Sequence, residues 1–69
     1  MTYRVYIHEN GEPVEKAVRN NREDAEQALA SLFRGRLEGM RPVYMGDDDY
    51  SLYDVFTTDG EFTAAIEWD

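Results

Sequence analysis

The chain has 69 residues, of which 42% are hydrophobic and 13% aromatic, with a formal net charge of −8 at pH 7 and no cysteine. That is one domain near the lower size limit for folding without staples, apolar enough for a core and outside the composition of disordered chains. Disulfide frameworks and thiolate metal sites are excluded. No stretch approaches the length of an apolar membrane span and no basic leader precedes an apolar run, so a cytoplasmic protein is expected.

Thr2 to Glu9 alternates, with Tyr3, Val5 and Ile7 on one side and Arg4, Tyr6 and His8 on the other, which predicts a half-buried strand. Asn10-Gly11 follows, a type I′ turn signal, because both central positions of that turn need positive φ. The hairpin so defined pairs Glu9 with Glu12, Ile7 with Val14 and Tyr3 with Val18. Pro13 has no N–H to give a ladder, so the second strand is expected at a sheet edge or to start there.

Asn20 and Asn21 are both N-cap residues by type, and Glu23 stands at the capping-box spacing from Asn20. Ala25, Ala28, Leu29, Leu32 and Phe33 form one apolar stripe at helical period. Acids crowd the first turn and Arg34 and Arg36 stand near the end, as the helix dipole favours. The spacing predicts a helix from about 21 to 34, fraying to 38, stopped by Gly35 or Gly39.

Pro42 to Met45 reads as a short strand, and Gly46-Asp47-Asp48-Asp49 as a solvated acidic loop. Leu52 to Thr58 and Glu61 to Trp68 read as a second hairpin around Asp59-Gly60, pairing Thr57 with Phe62, Val55 with Ala64 and Tyr53 with Ile66. Tyr53, Val55, Phe62, Ala64, Ile66 and Trp68 then face the helix, while Leu52, Asp54, Phe56, Thr63, Ala65 and Glu67 face away. The fold expected is α+β in the order ββαβββ, with one helix on one face of a mainly antiparallel sheet.

The charge is segregated along the chain. Residues 1–41 hold every basic side chain (Arg4, Lys16, Arg19, Arg22, Arg34, Arg36, Arg41), balanced by Glu9, Glu12, Glu15, Glu23, Asp24, Glu26 and Glu38. Asp47, Asp48, Asp49, Asp54, Asp59, Glu61, Glu67 and Asp69 carry the entire net charge of −8. Direct nucleic-acid binding by that half is disfavoured, since phosphate is held by Lys and Arg; a basic protein surface is the natural complement.

Chemistry finds little support. A calcium loop starting at Asp47 needs Gly and Glu where Leu52 and Thr58 stand. His8 is the only histidine, and the chain offers no cysteine or well-placed serine to complete a triad with it. Asp54 and Glu67 share a face and are near-diagonal in the expected register, but a solvated sheet surface accounts for them much better than acid–base work does, because small sheets expose such residues and no pocket is evident. No phosphate loop, zinc spacing or dinucleotide fingerprint is present. The expectation is a non-enzymatic protein without metal or other cofactor.

Tyr3, Phe33, Tyr53, Phe62 and Trp68 fit the core, whereas Tyr44, Tyr50 and Phe56 are expected at the surface among the aspartates. Tyr and Asp interleaved on a surface suit contact with an arginine-rich protein through charge and cation–π attraction. The surface so assembled comprises Asp47, Asp48, Asp49, Asp54, Asp59, Glu61 and Glu67 with those three aromatics. Phe56 equally suits a second layer or a homodimer interface, and a small self-associating module with a generic acidic surface is the alternative function. Halophilic acidity would instead spread acids over the whole surface.

In size, absence of cysteine, acidity and helix-on-sheet organisation the whole chain resembles small phage-encoded anti-CRISPR and anti-restriction proteins, several of which mimic DNA. The resemblance is one of general character and rests on no diagnostic motif. It implies an inhibitor acting in the host cytoplasm on a basic nucleic-acid-binding partner, such as a CRISPR effector subunit of a Cascade-type complex. The block would fall at DNA or PAM recognition, with no chemistry performed.

Overall fold

The computed structural model describes residues 1–45 and 49–69. The elements are β1 (Tyr3–Glu9), β2 (Glu12–Arg19), α1 (Arg22–Ser31), β3 (Leu37–Met45), β4 (Tyr50–Thr57) and β5 (Gly60–Trp68). The five strands form one antiparallel sheet in the order β2-β1-β5-β4-β3, and the helix packs chiefly on β1, β2 and β5. This is the α+β, ββαβββ arrangement expected. The core lies between sheet and helix, where Val5, Leu29, Val55, Ala64 and Ile66 are all 0% exposed.

The first hairpin turns through Asn10 and Gly11, at φ 54° and 81°, and pairs Glu9 with Glu12 and Ile7 with Val14. The register then shifts, because Tyr6 opposes Glu15 while Val5 opposes Ala17, leaving Lys16 as the extra residue of a bulge. Val18 therefore opposes Arg4 rather than Tyr3 and is 45% exposed, and Ala17 takes the place beside Val5 under the helix. Period-2 alternation does not survive an inserted residue. Proline at position 13 is accommodated because β2 is an edge strand.

The helix is capped by Asn21, not Asn20. Its side-chain oxygen accepts the Asp24 backbone N–H at 2.8 Å, and its amide nitrogen donates to the Asp24 carboxylate at 3.1 Å. Ala25, Ala28, Leu29 and Phe33 of the apolar stripe are buried and Leu32 half-buried. Regular helix ends at Ser31, earlier than the pattern predicts, and continues as tight turns in which Phe33, Arg34 and Arg36 donate back three residues. Gly35, at φ 80°, reverses the chain there. Strand β3 starts at Leu37, five residues before the Pro42 start expected from sequence, and is broken by irregularities on both sides of its middle.

The second hairpin turns at Thr58-Asp59 rather than Asp59-Gly60, so Thr57 opposes Gly60, Val55 opposes Phe62 and Tyr53 opposes Ala64. Only Gly60 has positive φ (124°), so the type I′ geometry is not formed. The Thr57 hydroxyl holds the turn, accepting from the Asp59 N–H and donating to the Gly60 carbonyl, each at 3.0 Å. A slip of two residues preserves side-chain parity. Tyr53, Val55, Ala64 and Ile66 accordingly reach the core as expected, with Phe62 and Trp68 packed at its margin.

Candidate interaction surface

The face of the sheet turned away from the helix is its most distinctive surface. Register places Tyr6, Ala65, Leu52 and Tyr44 in one row across β1, β5, β4 and β3. Phe56 lies further along β4, opposite Glu61. Ala65 is only 6% exposed although no helix covers it, which we attribute to its flanking partners Tyr6 and Leu52. Tyr6, Leu52 and Phe56 are half-buried. Tyr44 and Tyr50 are 44% and 39% exposed, with ring centroids 5.0 Å apart. The three aromatics singled out by sequence are thus surface residues, Phe56 being the least open and lying under the Arg41 guanidinium at 5.7 Å.

The carboxylates do not gather as one surface. Asp47 and Asp48 lie outside the described residues. Asp59 sits in the β4–β5 turn, while the carbonyl of Asp49 accepts the Trp68 N–H (2.8 Å) at the far end of the same two strands. Glu61 and Glu67 fall at opposite ends of β5, facing away from the helix. Asp54 opposes Thr63 while Glu67 opposes Tyr50, so the expected Asp54–Glu67 neighbourhood is not formed.

Nor does the separation of charge along the chain carry over into space. Arg41 reaches Asp54 at 2.8 Å, Arg36 reaches Asp59 at 2.7 Å and Arg4 lies 3.6 Å from Asp69. The cause is the strand order, which sets β5 beside β1 and β4 beside β3, so arginines from the front of the chain border the terminal hairpin. Among the described residues, Asp49, Glu61 and Glu67 of that half form no ion pair.

The remaining charge acts on its neighbours. The Tyr6 phenol is raised above its usual 10.0 by partial desolvation and then by Glu67 and Glu15, with Arg4 opposing. A cationic group arriving there would relieve that field. On the helix side, Tyr53 is raised by burial first and by Glu26 next; its hydroxyl donates to the Glu26 carboxylate at 3.3 Å.

Two open grooves flank the helix. One of about 360 Å³ runs between α1 and β2 past Lys16, Arg19, Asp24 and Gln27; the other, about 290 Å³, lies by Ile7, Phe33, Arg36 and Phe62. Among the described residues no three acidic or imidazole groups converge on a possible cation position, and His8 stands opposite Pro13 on the helix-free face. No helix is long and apolar enough to cross a membrane among those residues.

Tyr6 belongs to this surface but is not singled out by sequence reasoning, and neither are Val43 and Met45 of edge strand β3, where Met45 opposes Ser51 and so lies on the helix side. Alternation does place Tyr6 on the outer face; no local signal says that β3 is an edge. Compared with protein-family models, curated proteins and solved structures, the chain matches none.

Proposed function

We propose that this chain is a non-enzymatic inhibitor that binds a basic nucleic-acid-binding protein through the helix-free face of its sheet. The observation that carries the reading is an uncovered aromatic face, Tyr6, Leu52, Phe56, Tyr44 and Tyr50, bordered by the carboxylates Glu61 and Glu67, in a chain of net charge −8. Aromatic rings give desolvated contact and cation–π attraction, while the carboxylates take arginine and lysine positions that otherwise hold phosphate. The likeness in character to anti-CRISPR proteins extends the reading to a CRISPR effector subunit, met in the cytoplasm and blocked at DNA or PAM recognition. Because Asp54, Asp59 and Asp69 are bridged by arginines, Asp49, Glu61 and Glu67 supply most of the attraction among the described residues of that half.

The test is capture of the partner from lysate at low salt, followed by elution with duplex DNA. The reading expects DNA and high salt to release the partner. It expects Glu61→Lys with Glu67→Lys to abolish capture while circular dichroism stays unchanged. Capture that survives both charge reversal and excess DNA overturns it. A homodimer is the second reading, favoured by the apolar exposure of β3, where Val43 and Met45 are 57% and 50% exposed; light scattering on the purified chain decides it.

A further inference from the structure

The two edges of the sheet are unlike. Edge strand β2 has the features that discourage strand addition: Pro13, a bulge at Lys16, and the charged residues Glu12, Glu15, Lys16 and Arg19 along its length. Edge strand β3 also has a proline, Pro42, and a register irregularity that leaves Val43 without a partner on β4, but it carries no charged residue from there to Met45. Val43, Tyr44 and Met45 follow one another at 57%, 44% and 50% exposure, so apolar side chains project from both faces of an edge that no further strand pairs among the described residues. A run of that kind on an edge strand is a template for another strand.

We propose that the Val43–Met45 edge takes an extended basic segment of the partner protein as a sixth strand, a deepening that rests on the basic-partner reading above. The backbone of the edge supplies ladder hydrogen bonds, and side chains of the incoming strand alternate between the two faces. On the helix-free face they meet the Tyr44–Tyr50 ring pair, and Glu67 stands opposite Tyr50. Aromatic rings beside a carboxylate suit an arginine or lysine side chain. Asp49 lies at the same end of the sheet, beside Trp68. A second copy of the chain fits less well, because each brings a net charge of −8 and like-charged molecules repel.

The probes are two short peptides of equal positive charge, one alternating arginine with valine and one with each valine replaced by proline. Both carry the same electrostatic attraction, but proline cannot complete a ladder. Binding is followed by calorimetry, and amide hydrogen exchange of the full chain by NMR. The valine peptide is expected to bind about tenfold or more tightly than the proline peptide and to slow exchange at Val43–Met45. Val43→Glu with Met45→Glu is expected to remove that preference although it adds negative charge. Equal binding of both peptides with β3 exchange unchanged overturns strand addition and leaves the charge-based reading standing. Failure of both to bind overturns the two together. Protection of β3 without peptide, rising with protein concentration, assigns the edge to a second copy and overturns the proposal.

Discussion

The Arg36 guanidinium lies 2.7 Å from the Asp59 carboxylate and also donates to the Leu32 carbonyl at 3.3 Å, while the Arg36 carbonyl accepts the Thr58 N–H at 2.9 Å. One residue therefore joins the end of the helix to the tip of the terminal hairpin. Asp59, an acidic-surface residue by sequence, serves as the anchor of a turn. Both side chains are about half exposed (46% and 54%), so screening leaves the pair worth a fraction of a kcal/mol. Asp59→Asn is expected to lower stability by about 0.5 kcal/mol, with the difference from the parent shrinking at high salt and with no effect on partner capture. Urea titrations at two salt concentrations, alongside the capture assay, check this.

Arg22 plays the corresponding part at the other end of the helix. Its guanidinium lies 4.4 Å from the Trp68 ring centroid and donates to the Ser51 hydroxyl at 3.2 Å, and Ser51 is fully buried. Removing it exposes the indole and withdraws a donor from a buried oxygen. Arg22→Ala is expected to cost about 1–2 kcal/mol and to red-shift the fluorescence of Trp68, the only tryptophan. An unchanged spectrum would show the stacking to be without consequence.

Tyr53 makes alkaline stability a further readout. Its folded-state pKa lies above the ordinary phenol value of 10.0, through burial and Glu26. The folded chain thus holds this proton more tightly than the unfolded chain does. The associated stability is complete below pH 10.0 and is lost as pH rises through the folded value. Tyr53→Phe should flatten the decline in that window, and a Tyr6→Phe comparison isolates the contribution of the other raised phenol. Unfolding midpoints measured across the alkaline range check this.

Gly60 stands at φ 124° with open space where a Cβ would be. Alanine there clashes with nothing and is disfavoured by backbone conformation alone. Gly60→Ala is expected to cost about 1–2 kcal/mol, lowering the urea midpoint without altering the slope of the transition.

Much of the fold was legible locally. The Asn10-Gly11 turn, the apolar stripe from Ala25 to Phe33 and the side-chain parity of residues 52–68 act over distances the chain itself sets, and all three hold in the fold although regular helix stops at Ser31. Misreadings arise where a local preference meets a partner distant in sequence. Asp59-Gly60 reads as a type I′ turn, but Arg36 and the Thr57 hydroxyl hold the hairpin one position earlier. Tyr3 and Val18 read as partners, but the bulge at Lys16 brings Ala17 rather than Val18 under the helix.

The candidate surface was legible in residue type but not in place. Composition and alternation were enough to establish an acidic, cysteine-free helix-on-sheet domain with Tyr44, Tyr50 and Phe56 outside its main core, because burial follows from period. Strand order belongs to tertiary structure, since β1 and β5 pair across nearly the whole chain and no local signal records that pairing. That order sets Arg4, Arg36 and Arg41 beside Asp69, Asp59 and Asp54 and leaves β3 as an open edge. A charge imbalance along a sequence becomes a field in space only as far as folding keeps its two halves apart, and this sheet interleaves them.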